Sequence, residues 1–313
     1  MSSSRKKITF YSNHIEKMVY LSKTTESGDK RGNFESGSLK IRELVDTLLE
    51  KLILPQSSVI GFENLEELFE LSKSGHSCLL LLEHYSNFDI PSWYYLLKNL
   101  YGERGIRISE KIISMATAKL TSHSDVVRSF AQAYPRIPVI APPEINKLRD
   151  KPEHTENLKQ ALAFNHQSFK QMITEKNSGS IILIFPAGTR FRPNKPETKI
   201  PIPQMDSFIR QFDYVTHVGS SGILLEVNET GNMADEFLQK DALIFEIGKV
   251  TESKQFRTSA KEAFPQETQR DAIAKTILRE LDVLHTSASK AHTQIIASLG
   301  DSFDHNQLQV ISE

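Results

Sequence analysis

Two short, unbroken apolar stretches constrain the fold of this chain more than any other feature. They lie at Cys78–Leu82 and within Ser180–Phe185, each bounded by polar or turn-forming residues. Stretches of this length are typical of strands that are buried on both faces of a sheet. Segments with helical spacing of apolar residues lie between and after them, among them Thr155–Lys176 and Glu267–His285. Strands that alternate with helices predict an α/β fold with a mixed, mainly parallel sheet flanked by helices.

Helical spacing also predicts which side of a helix faces the core. In Thr155–Lys176 the apolar residues fall on one side, and an amphipathic helix normally buries that side. The predicted inward residues are Leu158, Leu162, Phe169, Met172 and Ile173.

The first 60 residues have a different character. Between Ile41 and Leu52 apolar residues recur every three or four positions, which predicts one amphipathic helix. The stretch Thr24–Ser38 is rich in Gly, Ser and charged residues and predicts a loop. We therefore divide the 313 residues into a small helical N-terminal segment, residues 1–60, and an α/β domain, residues 61–313.

Composition and net charge argue against several classes of protein, among them nucleic-acid-binding, disulfide-rich and membrane-spanning proteins. The formal net charge is -1, so we expect no nucleic-acid partner. The single cysteine, Cys78, lies inside an apolar stretch and is interpreted as a buried hydrophobic residue rather than a nucleophile. With one cysteine no disulfide can form within the chain, which fits a reducing compartment. No apolar stretch approaches the roughly 18 residues that span a bilayer, so we expect a soluble or peripheral protein of the cytoplasm or an organelle stroma.

A histidine and an aspartate follow the first apolar stretch. His84 comes where the predicted strand leaves the sheet, and Asp89 precedes Pro91 at a predicted helix start. The four residues between them form a loop that can bring the carboxylate onto the imidazole. One ring nitrogen is then held by the acid while the other faces a substrate hydroxyl, which is the arrangement of a general base. The same spacing occurs in ordinary loops and helix caps, so it does not establish catalysis alone.

A small turn and two arginines follow the second apolar stretch. Gly188 allows the backbone to come close to a ligand. Arg190 and Arg192 are two residues apart and point to the same side of an extended segment. A guanidinium matches a phosphate group, so the pair predicts an anion site, with a solvated basic loop as the alternative. Since ligands bind at the carboxyl ends of parallel strands, we expect this loop to meet the His84 loop.

Together the two stretches resemble the glycerolipid acyltransferase superfamily. Its first motif is His, any four residues and Asp, as at His84–Asp89. A later motif in many members is Phe-Pro-Glu-Gly-Thr-Arg, and Phe185–Arg190 differs from it only at Ala187. Within the superfamily the chain resembles the soluble glycerol-3-phosphate acyltransferases of the chloroplast stroma and their bacterial counterparts more closely, because their Arg-x-Arg-Pro spacing recurs at Arg190–Pro193. The resemblance covers residues 61–249 and is weaker outside the two motifs.

The resemblance implies a reaction and a role for each motif residue. An acyl group would move from a thioester of acyl-carrier protein or coenzyme A to the 1-hydroxyl of glycerol 3-phosphate, the first step of phospholipid synthesis. His84 would be the catalytic base and Asp89 its partner, while Arg190 and Arg192 would bind the phosphate. Transient contact with a membrane surface is expected, and neither a cofactor nor a metal is. The residues that would support the arginine loop are Gly188 and Thr189.

The chain departs from these relatives at two places. They carry a Lys-His pair after the strand that corresponds to Ile137–Ala141, where this chain has no such pair. We carry that phosphate-binding role over to Lys147, with Arg149 as the alternative. Glu83 stands where the superfamily usually has Asn, and its effect on the pKa of His84 is left open.

Two other functions stay open at the level of sequence. A lysophosphatidate acyltransferase of the same superfamily would share both motifs, although residues 1–60 are more polar than a membrane-inserting element. A non-catalytic phosphate- or lipid-binding relative would also share them. An α/β hydrolase is disfavoured, because the sequence contains no Gly-x-Ser-x-Gly nucleophile elbow.

Overall fold

The computed structural model of the chain describes residues 4–24, 30–121, 124–150, 155–228, 233–300 and 302–311. The helices in these ranges are α1 (Ser12–Thr24), α2 (Leu39–Glu50), α3 (Phe62–Lys73), α4 (Asp89–Ser109), α5 (Asp125–Ala131), α6 (Pro142–Arg149), α7 (Thr155–Asn177), α8 (Met205–Ile209), α9 (Ser253–Ala263) and α10 (Gln269–Leu299). The strands are β1 (Lys6–Lys7), β2 (Lys30–Arg31), β3 (Phe34–Glu35), β4 (Ser58–Ile60), β5 (Cys78–Leu82), β6 (Ile112–Thr117), β7 (Arg136–Val139), β8 (Ile181–Ile184), β9 (Tyr214–Ser221), β10 (Leu225–Glu226), β11 (Phe237–Leu238), β12 (Ile244–Ile247) and β13 (Thr251–Glu252).

The main sheet is mixed and mostly parallel, which confirms the predicted fold class. Its strand order is β2-β3-β7-β6-β8-β5-β9-β12-β4, and β13 also pairs with β9. The strands β7, β6, β8, β5 and β9 at its centre all run parallel. Antiparallel pairs lie on the flanks, where β12 and β13 meet β9 and where β3 joins β2 to β7. Strands β1, β11 and β10 form a separate small antiparallel sheet.

The two apolar stretches are neighbouring strands at the centre of the sheet. β5 and β8 pair in parallel with Leu81 opposite Ile184, so both strands end at the same edge. Alternate residues of β5 belong to opposite cores. Leu80 and Leu82 pack in the core that includes α2 and α4, whereas Leu79 and Leu81 pack in the core that includes α9 and α10. Burial on both faces explains the unbroken apolar sequence.

Residues before and after position 60 share one core. Met18 of α1 and Leu48 of α2 pack in the same cluster as Leu80 of β5. Two N-terminal strands also join the main sheet, β4 beside β12 and β3 beside β7. The division of the chain into two parts at residue 60 stays a prediction. The predicted loop Thr24–Ser38 contains the short strands β2 and β3, and residues 25–29 of it lie outside the described ranges.

Cys78 has the environment expected of a structural residue. It is buried in β5, and its thiol lies 3.4 Å from the carbonyl oxygen of Leu68. Burial raises the pKa of the Cys78 thiol to about 12, so the thiolate is not formed near neutral pH. In the described part of the chain no helix is both long and apolar enough to cross a bilayer.

Candidate active site

The His84 imidazole is held by the carboxylate of Asp89. The Nδ1 atom of His84 lies 2.8 Å from Oδ2 of Asp89. The same oxygen accepts hydrogen bonds from the backbone N–H groups of Tyr85, at 2.8 Å, and Ser86, at 2.9 Å. Asp89 is the first residue of α4, where the helix dipole favours a negative charge. The loop predicted from the sequence thus folds back so that one oxygen orients the ring.

The protonation state of His84 suits a base. Burial holds the pKa of His84 below its ordinary value of 6.5, although Asp89 opposes this shift; the charge of Arg190 adds to the lowering. The ring is therefore neutral near pH 7. With the Nδ1 proton donated to Asp89, the lone pair is on Nε2, and no hydrogen bond to Nε2 is found among the described residues. The ring stacks on Phe185, with the centroids 3.9 Å apart, which fixes its plane.

The two predicted loops meet at the carboxyl edge of β5 and β8. The carbonyl oxygen of His84 accepts a hydrogen bond of 2.8 Å from the backbone N–H of Phe191. Between the loops and α10 lies a small, open cleft with a volume of about 20 Å³. His84 lines one side of the cleft, and its apolar wall includes Phe185, Phe191, Leu278 and Leu281. The structure thus places the imidazole beside an apolar, solvent-accessible cleft.

Arg190 is not available as a free cation. It is 9% exposed, and its Nη1 donates a hydrogen bond of 2.7 Å to Oε1 of Glu236, whose exposure is 0%. The amide of Asn87, in the His84 loop, donates to the other oxygen of Glu236 at 3.3 Å. Glu236 therefore connects the His84 loop to the arginine loop. Sequence reasoning missed this residue, because it lies in an irregular segment 46 positions after Arg190.

Arg192 differs from Arg190. It is half-buried, and its backbone N–H donates to the Thr198 hydroxyl at 2.9 Å. Among the described residues no carboxylate lies within ion-pair distance of its guanidinium, and its buried Nε atom has no hydrogen-bond partner. Of the two arginines, Arg192 is thus the one with a guanidinium that can take an external anion.

The arginines do not belong to the cleft wall. Thr189 and Phe191 line the cleft, whereas Arg190 and Arg192 do not. His84 lines the cleft, and the charge of Arg190 acts on its ring. Gly188, exposed and with φ of 66°, allows the tight turn in which its N–H donates to the carbonyl oxygen of Phe185 at 2.9 Å.

Lys147 is not brought to the two motifs. It is exposed on α6, which follows β7, and β7 is separated from β5 by β6 and β8. Three strand spacings amount to roughly 14 Å. The proposed role of Lys147 or Arg149 in phosphate binding stays a prediction.

Glu83 lines the same cleft as His84 and is held by hydrogen bonds to its neighbours. It is buried, and its oxygens accept hydrogen bonds from the backbone N–H of Ser220, at 2.9 Å, and the Tyr85 hydroxyl, at 3.1 Å. The Nδ1 atom of His285, on α10, lies 3.2 Å from Glu83. That hydrogen bond raises the pKa of His285. Glu83 thus joins the end of β5 to β9 and α10, which gives it a structural role in place of the usual Asn.

No protein-family model matches this chain. No curated protein sequence matches it either. The resemblance to glycerolipid acyltransferases therefore depends on the two motifs and on the geometry that brings them together.

Proposed function

We propose that this protein is an acyltransferase that moves a fatty acyl group from a thioester to the 1-hydroxyl of glycerol 3-phosphate. One observation carries the proposal: the ring of His84 is held by Asp89 at 2.8 Å while Nε2 has no partner among the described residues. This base lines a mostly apolar cleft, and its loop is hydrogen-bonded to the loop that carries the two arginines. The site thus offers an apolar wall for an acyl chain, a base for the hydroxyl and a guanidinium for the phosphate.

The chemical step needs one base and no covalent enzyme intermediate. The acceptor hydroxyl oxygen attacks the thioester carbonyl carbon, and its proton passes to Nε2 of His84. Asp89 stabilises the imidazolium that forms, as the acid does in a serine-protease triad. The carbon–sulfur bond then breaks, and the leaving thiolate takes the proton from His84. The products are the acyl ester and a free thiol, and the base returns to its starting state.

Two parts of the candidate site suit the two substrates. The cleft wall of Phe185, Phe191, Leu278 and Leu281 suits the acyl chain of the donor. Arg192 suits the phosphate of the acceptor, because guanidinium–phosphate hydrogen bonds are strong and directional. Binding both partners in this way places the hydroxyl near the thioester, and proximity accounts for much of such catalysis. A thioester of acyl-carrier protein or of coenzyme A meets these requirements.

Replacing His84 tests the proposal. His84→Ala should reduce thiol release from acyl-coenzyme A and acyl-carrier-protein donors with glycerol 3-phosphate by roughly 10²–10⁴-fold, the usual effect of general-base catalysis. His76→Ala is the matched control, since His76 is exposed at the opposite end of β5. Near-native turnover in His84→Ala would show that His84 is not the base. A panel with monoacylglycerol 3-phosphate as acceptor distinguishes lysophosphatidate acyl transfer.

A further inference from the structure

A buried carboxylate lies against Arg190 of the arginine loop. Glu236 is 0% exposed and accepts hydrogen bonds from Arg190 at 2.7 Å and from Asn87 at 3.3 Å. The charge of Arg192 also acts on it, and burial raises the pKa of Glu236 while both arginines oppose that shift. Burying a carboxylate is costly unless it is paired, and here a guanidinium pairs with it.

The charges of this group can be counted from the structure. Arg190 and Arg192, which we call the arginine cradle, carry two positive charges. Glu236 carries one negative charge at hydrogen-bond distance from Arg190, which leaves a net charge of +1 for an incoming anion. Glu236 is buried and both of its carboxylate oxygens accept hydrogen bonds, so its negative charge is held beside Arg190.

We propose that Glu236 lowers the affinity of the site for the acceptor, because it limits the arginine cradle to one net positive charge toward the phosphate. This inference rests on the proposed function and names the part of the site that sets acceptor affinity. Arg190 stays on Glu236 during binding, and the phosphate binds through Arg192. A cradle with a single net charge holds a phosphate dianion less tightly than one with two, because attraction scales with the product of charges.

Three variants distinguish an effect of the net charge of the cradle from a direct contact between Arg190 and the phosphate. Glu236→Gln keeps the size and the acceptor oxygen that faces Arg190, and it raises the net charge of the cradle to +2. Arg190→Gln lowers the net charge to zero, and the double variant restores +1. The affinity for inorganic phosphate is measured by isothermal titration calorimetry at low ionic strength, where screening is weakest.

Charge counting predicts an order of affinities. Glu236→Gln should bind phosphate about tenfold more tightly than the native protein, and Arg190→Gln about tenfold more weakly. The double variant should lie within about threefold of the native protein. Glu175→Gln is the matched control, because Glu175 is buried on α7 with Gln171 as its partner, and it should bind as the native protein does.

Two results would overturn the inference. If Glu236→Gln binds phosphate no more tightly than the native protein, Glu236 does not limit the charge of the cradle. If the double variant is as weak as Arg190→Gln, Arg190 contacts the phosphate itself. Should a single variant not fold, because it leaves one buried charge unpaired, the double variant still tests the inference, since it leaves none. A loss of about tenfold in phosphate affinity in the double variant would refute it.

The binding series is independent of acyl transfer. It needs no thioester, so a protein that binds phosphate in the predicted order but transfers no acyl group would refute the proposed function alone. Where transfer occurs, KM for glycerol 3-phosphate should follow the same order as the dissociation constants, with larger changes in KM than in kcat.

Discussion

Replacing Asp89 by Asn removes one charge from the site and changes little else. A single oxygen of Asp89 accepts all three hydrogen bonds, from His84, Tyr85 and Ser86. The amide oxygen of Asn can take the same position and accept the same bonds. The difference between the two proteins is therefore the electrostatic stabilisation of the imidazolium that forms when His84 takes a proton.

The magnitude follows from the geometry. The Nδ1–Oδ2 distance of 2.8 Å places the centres of opposite charge in contact. At a centre-to-centre separation of ~4 Å and an effective dielectric constant of ~20, the attraction is about 4 kcal/mol. Loss of that stabilisation in the transition state corresponds to a roughly 10³-fold decrease in kcat.

The assay is thiol release at saturating acceptor across a range of pH. Asp89 raises the pKa of His84, so its replacement lowers that pKa further and keeps the base unprotonated at lower pH. The acidic limb of the rate profile should therefore move to lower pH while kcat falls. Asp125→Asn is the control, because Asp125 also begins a helix but pairs at the surface with Lys23. A decrease smaller than about tenfold, with an unmoved acidic limb, would refute the role of the His84–Asp89 pair.

Three further predictions concern charge, stability and reactivity. Arg192→Gln should raise KM for glycerol 3-phosphate roughly tenfold, as expected for loss of a guanidinium–phosphate contact, whereas Arg210→Gln at the surface should not. Burial lowers the pKa of His217 from 6.5 to about 4, so the unfolded state takes up this proton first as the pH falls. His217 alone should thus lower the free energy of unfolding by about 3 kcal/mol between pH 6.5 and 4. In urea titrations the decrease in His217→Gln should be smaller by this amount. An equal decrease in both proteins would contradict the lowered pKa of His217. Cys78 should react with a thiol reagent only as fast as the protein unfolds, and rapid labelling under native conditions would contradict its burial.

Local sequence pattern determined the elements that form the centre of the sheet. β5 has the predicted bounds, and β8 lies within the predicted stretch, because a strand covered on both faces must be apolar at every position. The His84–Asp89 pair was predictable for a related reason. Its two residues are five positions apart, and the strand end and helix start that flank them restrict the loop to a conformation that brings them together.

Helical periodicity did not predict correctly which side of α7 is buried. Spacing predicted Leu162, Phe169 and Ile173 as inward residues, but they are 47%, 38% and 41% exposed. The prediction is right for Met172 and wrong for these three. The buried side instead includes Ser168, whose hydroxyl donates to the carbonyl oxygen of Pro138. Small and hydrogen-bonded residues fit where α7 approaches β7 closely, and helical spacing alone does not show how close the neighbour lies.

The sequence by itself therefore determined the two central strands, the pairing of His84 with Asp89 and the position of the arginines after β8. Only the tertiary structure decided what those arginines can do. Arg190 is paired with Glu236, and Arg192 is not paired with any described carboxylate. A pattern of apolar residues records burial within one segment, whereas an ion pair between residues 46 positions apart depends on how several segments pack. The charge available to a substrate is for that reason a property of the folded chain.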